Sequence, residues 1–230
     1  GRPSIDRKAC DACGKCAVAC GKDALKVVGR EMTVDDVMAE VEKDRVFYRR
    51  SGGGVTLGGG EPLAQYRFAA ELLEAVQTAY MHTALETSGH APWSHLEAVL
   101  KHVDLLQFDL KHMNSAKHQE LTGQSNELIL GNLNRVLSVK APQDVIIRIP
   151  VVPGCNDSAE NIRETAGFVA ELGLKQVELV PYHRLGVSKY AQYGMDYPLA
   201  GYDEPSSQGH LNDLREIVKE FGLTEMAGSI

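Results

Sequence analysis

Cys10, Cys13, Cys16 and Cys20 put four thiols within eleven residues near the start of this 230-residue chain. The spacing is C-x2-C-x2-C-x3-C, which lets one short loop wrap an iron–sulfur cube and assigns the fourth thiolate to a helix start, where it serves a second cube. Two other uses of cysteine compete with this one. Zinc sites usually divide their ligands into two distant pairs, whereas these four are contiguous. A disulfide scaffold needs many half-cystines, and the remaining residues hold only Cys155. A [4Fe–4S] cluster is the favoured reading, with zinc and disulfides as the alternatives. A chain that holds such a cluster moves electrons singly.

A second set of reactive side chains becomes visible only once the elements carrying them are laid out. From Thr33 the chain alternates helix and strand. Thr33 and Asp36 have capping-box spacing and open a helix with Val34, Val37, Met38, Val41 and Val46 on one side, stopped at Ser51–Gly54. Apolar strands follow at 55–57, 82–86, 104–109, 145–149 and 176–180, separated by helical stretches near 64–80, 94–102, 115–121, 126–140 and 158–172. A loop rich in Gly, Tyr and Pro follows, and a last helix is expected near 207–221. Five strands alternating with helices imply a parallel sheet, and in barrels of this kind the loops after the strands gather at one mouth. Read in order, the strand ends carry Gly59, Gly60 and Glu61, then Glu86 and Thr87, then Asp109 and Lys111, then Arg148, then Tyr182 and His183. One such residue is a solvated loop side chain; five strand ends in series make a candidate site. His112 and His118 read as surface residues rather than metal ligands.

Bulk properties narrow the class. With 24 basic and 31 acidic residues the net charge is −7, and no long basic run is present, which argues against nucleic acid as a partner. No apolar run reaches membrane-spanning length and no signal peptide is visible, so the expectation is a reducing cytoplasm and no membrane. The phosphate-loop, dinucleotide-turn, H-E-x-x-H and G-x-S-x-G motifs are all absent.

Taken together, these segments resemble the activating enzymes of glycyl radical enzymes, the pyruvate formate-lyase activase-like branch of the radical S-adenosylmethionine (SAM) superfamily. The resemblance rests on the ferredoxin-type cysteines, on residues 47–62 (FYRRSGGGVTLGGGEP), 85–89 (LETSG), 109–111 (DLK), 148–154 (RIPVVPG) and 181–186 (PYHRLG). It implies a partial (β/α)6 TIM-like barrel. Residues 1–31 would be part of a ferredoxin-like iron–sulfur insert, and 32–230 a barrel lacking its first strand. It also implies reductive cleavage of SAM to a 5′-deoxyadenosyl radical, which takes hydrogen from a backbone glycine of a partner glycyl radical enzyme, with an electron donor such as flavodoxin or ferredoxin. Residue by residue, it assigns Gly59, Gly60, Glu61, Glu86, Lys111, Arg148 and His183 to SAM, and Glu86, Thr87 and Asp109 to a monovalent cation. For Arg148 the alternative is an ion pair inside the barrel.

Two departures matter. Gly21 stands where ferredoxins carry Pro, which leaves open whether Cys20 shares a cluster with the other three. The C-x3-C-x2-C triplet that defines the superfamily is missing, because position 23 is Asp. With the missing strand and the opening at Gly1 instead of Met, the expectation is a sequence truncated at its N-terminus, without catalytic cluster ligands and inactive alone. An electron-transfer module and an inactive regulatory paralogue are the competing functions.

Overall fold

In the computed structural model the described residues are 5–201 and 206–226; the first four residues of the iron–sulfur segment and part of the loop before the last helix lie outside them. One short helix, α1 (Lys15–Val18), lies in the cysteine segment. Cys20 follows α1 instead of starting a helix, a correction to the expectation: its N–H closes a turn onto Ala17 O at 3.1 Å and the chain turns again at Gly21.

The expected helix from Thr33 forms as two, α2 (Val34–Val41) and α3 (Arg45–Ser51), joined by a 3₁₀ turn at Glu42–Asp44. Thr33 and Asp36 make the full capping box: Asp36 N–H donates to Thr33 Oγ1 at 3.2 Å and Thr33 N–H to Asp36 Oδ2 at 2.9 Å. Thr33→Ala should therefore cost about 1 kcal/mol, read as a lower denaturant midpoint with an unchanged slope. The 3₁₀ turn rotates the helix face, so Val34, Val37, Met38 and Val41 pack as expected, whereas Val46 is 58% exposed. Gly52, at φ 71°, ends α3.

Then β1 (Gly54–Leu57), α4 (Tyr66–Thr78), β2 (His82–Thr87), α5 (Trp93–Leu100), β3 (Leu105–Asp109), α6 (Ser115–Thr122), α7 (Glu127–Val136), β4 (Val145–Val151), α8 (Ala159–Glu171), β5 (Gln176–Pro181), α9 (Val187–Tyr193), α10 (Gln208–Glu220) and β6 (Thr224–Glu225) complete the described chain. The five expected strands are present. Two elements were not expected: α9, inside the Gly- and Tyr-rich loop, and the two-residue β6, too short to carry a period-2 pattern.

All six strands are parallel and lie in sequence order β1-β2-β3-β4-β5-β6. A sheet wound in one direction places its helices on one face, the arrangement of a partial TIM-like barrel. Side-chain alternation matches. Leu85, Leu106, Phe108, Ile147, Ile149, Val177 and Leu179 are buried under the helices in one continuous core, with α4 against α5 and α8 against α10. The alternate positions, among them Glu86, Asp109, Arg148 and Glu178, occupy the opposite, concave face. Strands apolar on one side only are what let period-2 patterning locate them. Among the described residues no helix is long and apolar enough to cross a membrane.

Candidate functional site

The C-terminal ends of β1, β2 and β3 enclose a cavity of about 300 Å³ lined by Gly59, Gly60, Glu61, Glu86, Thr87, Ser88, Asp109 and Lys111. Seven of the eight, all but Ser88, come from the strand-end residues assigned to SAM or a cation, and these form one wall-to-wall group. A larger groove of about 540 Å³, lined by Tyr48, Arg49, Tyr80, His82 and others, lies at the opposite end of the sheet, where β1, β2 and β3 begin. It contains none of the candidate residues.

Gly59 adopts φ 103°, a region that L side chains rarely enter, so the loop after β1 presents bare backbone to the cavity. Glu61, expected beside a ligand ammonium, lines the cavity and also has a structural part. Its carboxylate accepts from Leu63 N (3.1 Å), Thr87 Oγ1 (2.7 Å), Ser88 N (3.0 Å) and Ser88 Oγ (2.7 Å). It is an internal tie that fastens the loop after β1 to the loop after β2. Thr87 Oγ1, which also accepts from Gly89 N at 3.0 Å, is committed to the same tie.

Behind the cavity lies a charge cluster. Asp109, Arg148 and Glu178 sit side by side across β3, β4 and β5. Arg148 pairs with Glu86, lies 3.9 Å from Asp109 and 3.2 Å from Glu178 through Nε. Lys111 Nζ is 3.3 Å from Asp109. Arg148 thus makes the ion pairs expected as its alternative role while touching two cavity carboxylates. Burial pushes the Asp109 carboxyl above its ordinary range, an effect that Lys111 and Arg148 oppose and Glu86 reinforces. Burial works against the Arg148 cation, but its close contact with the Glu86 carboxylate, helped by the charges of Asp109 and Glu178, holds it above its usual range. Proximity and direction differ here: the charges are close, yet Asp109 Oδ1 and Arg148 Nε and Nη1 make no well-directed hydrogen bond. At these separations attraction acts regardless of N–H direction.

His183, just past β5, is exposed and outside the cavity lining. His112 and His118 correct the surface assignment: they are 7% and 3% exposed. His112 Nδ1 accepts from Asn114 N and His118 Nδ1 bonds Gln124 O, so both close loops behind the site.

Buried asparagines, absent from the sequence reading, hold the cavity loops. Asn156 donates to Lys111 O (2.7 Å) and accepts from Val152 N (2.8 Å). Asn161 accepts from Met113 N, Asn126 donates to Met113 O, and Asn132 donates to Gly89 O and Ala91 O. Asn132 was detectable: it interrupts the apolar stripe Ile129, Leu133, Val136 of α7, and an unpartnered amide there would be costly. Glu178, an acid between Val177 and Leu179, carries the same signal.

The cysteine loop has the donor chemistry of an iron–sulfur ligand set. Ala12 N–H points at Cys10 Sγ (3.4 Å) and Ala24 N–H at Cys20 Sγ (3.3 Å), and backbone N–H groups of Lys22, Leu25 and Ala24 hold the Cys20 thiol below its usual range. Left-handed Ala12 and Gly14 coil the loop. Among the described residues, however, no three Cys, His, Asp or Glu side chains converge to a metal-sized group. The donors fit; their closure around a cluster is not part of this conformation.

Comparison with known proteins bears directly on this arrangement. The family model of the radical SAM superfamily matches residues 11–169. The chain is 46% identical over 197 residues to the isethionate sulfite-lyase activating enzyme of Oleidesulfovibrio alaskensis, covering 85% of this chain and 63% of that protein. It is 39% identical to the (2S)-3-sulfopropanediol dehydratase activating enzyme of Klebsiella oxytoca, covering 98% of this chain and 72% of that one. Among solved structures, a domain of the pyruvate-formate lyase-activating enzyme from Bacteroides vulgatus superposes with a TM-score of 0.62 at 32% identity, over 77% of this chain and 99% of that domain. The chain spans somewhat under two thirds of the isethionate sulfite-lyase activating enzyme.

Proposed function

Because this chain belongs to the radical SAM superfamily, in the branch of glycyl radical enzyme activating enzymes, we propose that it is the SAM-binding barrel of an activase that removes hydrogen from a backbone glycine of a partner enzyme. The observation that carries this reading is the convergence of the Gly59–Glu61 loop, Glu86 and the Asp109–Lys111 pair on one cavity. When bound, SAM would supply the hydrogen-abstracting radical, given one electron from an iron–sulfur cluster. The protein's own residues bind and orient it. Gly59 and Gly60 offer unobstructed backbone to the methionyl ammonium, and Glu86 offers opposite charge. Lys111 pairs with the methionyl carboxylate while Asp109 steadies it. Asp109 and Glu86 also suit a monovalent cation, since Asp109 Oδ1 is buried with unused acceptor capacity. Arg148 sets the charge of this group from behind, and His183 reaches the ligand from the rim.

Residues 1–31 hold an auxiliary cluster through Cys10, Cys13, Cys16 and Cys20, and residues 32–230 form the barrel. The electron donor is of the flavodoxin or ferredoxin kind and the setting is the cytoplasm. The partner is a glycyl radical enzyme. Relatives of this chain activate a sulfite-lyase, a dehydratase and, in Tractidigestivibacter scatoligenes, an indoleacetate decarboxylase, so likeness of the barrel selects no single partner chemistry.

No C-x3-C-x2-C triplet lies within the 230 residues. The chain should therefore bind SAM saturably yet release no 5′-deoxyadenosine. Calorimetric titration and chromatography after anaerobic reconstitution and reduction check both halves. Absent binding favours the electron-transfer module; nucleoside release by the chain alone overturns its inactivity.

A further inference from the structure

Glu178 is the one carboxylate of the charge cluster that does not line the cavity. It lies on β5, 8% exposed, between Val177 and Leu179 of the core. A buried acid in such a strand is costly unless a cation meets it. Its partner is Arg148, directly beside it in the β4–β5 register, with Oε2 3.2 Å from Nε. Arg148 Nη1 meanwhile meets Glu86 and Asp109, both of which line the cavity. One guanidinium is therefore divided among three carboxylates, two facing the ligand space and one behind it.

We propose that Glu178 is a positioning residue that draws the Arg148 guanidinium back toward β5, so that Glu86 and Asp109 keep negative charge free for the cationic part of the ligand. Without Glu178, the whole charge of Arg148 falls to Glu86 and Asp109, and the site loses attraction for an ammonium or sulfonium although no ligand contact has been removed. The acid acts through Arg148 alone, so its effect must vanish when Arg148 is neutral. This inference rests on the SAM-binding reading above.

The test is a double-mutant cycle on SAM affinity in the full 230-residue chain, with thermal melts as the control for folding. Glu178→Gln should weaken SAM binding about tenfold, whereas Glu178→Gln added to Arg148→Gln should change it less than about twofold. Equal losses in both backgrounds overturn the proposal, since Glu178 would then act without Arg148. Wild-type chain that binds no SAM sinks the SAM reading instead, and a ligand-free measurement keeps the two apart. The crystal structure of Glu178→Gln should show Arg148 moved toward Asp109, which lies 3.9 Å away in the native chain, and away from β5. An unmoved Arg148 overturns the positioning role whatever the affinities. Glu178→Asp, which restores the charge, should recover part of the lost affinity; no recovery also counts against it.

Discussion

Glu61→Gln should detach the loop after β1 from the loop after β2 and lower SAM affinity on the order of 100-fold. The carboxylate accepts four hydrogen bonds from two loops. A glutamine amide keeps one oxygen and turns an NH₂ group toward the other pair, so one backbone N–H faces a donor, the hydroxyl beside it must reverse to accept, and the remaining bonds lose their charged acceptor. Bonds to a charged acceptor are worth roughly 1.5–3 kcal/mol each, and 1.4 kcal/mol is tenfold in an equilibrium constant. One lost bond with its donor left facing a donor, together with the weakening of the others from charged to neutral, therefore supports a hundredfold change. The effect is local, because Glu61 lies at the surface of the core. Amide hydrogen exchange should accelerate at Leu63 and Ser88 while the amides of β3 and β4 keep their protection. If Leu63 and Ser88 exchange at wild-type rates in the variant, Glu61 is not the tie described.

Gly89→Ala should be the most destabilising single-methyl change near the site. A Cβ at Gly89 would lie 2.1 Å from Phe108 Cζ and 2.4 Å from Cε2. Phe108 is fully buried on β3 and has no free space to yield. Gly89 also holds φ 68°, where a side chain costs roughly 1–2 kcal/mol. Overpacking adds about 1–3 kcal/mol. A loss of about 3 kcal/mol in a chain of this size lowers the melting temperature by about 10 °C. Because Gly89 closes the segment that carries Thr87 and Ser88, ligand affinity should fall with stability. Trimming the neighbour discriminates the cause: in a Phe108→Leu background the alanine should cost markedly less. An equal penalty there would assign the effect to backbone strain alone.

The strand ends were legible because β strands buried on one face alternate, and an interruption of Val, Ile and Leu by Glu86, Asp109 or Arg148 is visible in the one-dimensional pattern. The cap at Thr33 was legible because it is a contact between residues three apart. The partners of Glu61 were not legible. Thr87 and Ser88 lie 26 and 27 positions away, and any polar residue of the loop after β2 satisfied the sequence equally well. His118 was misread for the same reason: six residues separate it from Gln124 O, across the end of α6.

By itself the sequence determined the residue types on the loops, the parallel alternating fold and the thiol spacing, since these follow from short-range periodicity and from chemistry that a side chain carries anywhere. Only the tertiary structure decided that Glu61 is a tie, that four asparagines clamp the cavity loops and that Glu178 shares Arg148 with Glu86 and Asp109. Those roles depend on strand register. A shift of one residue in the pairing of β4 with β5 would send Glu178 to the opposite face of the sheet without altering a single letter.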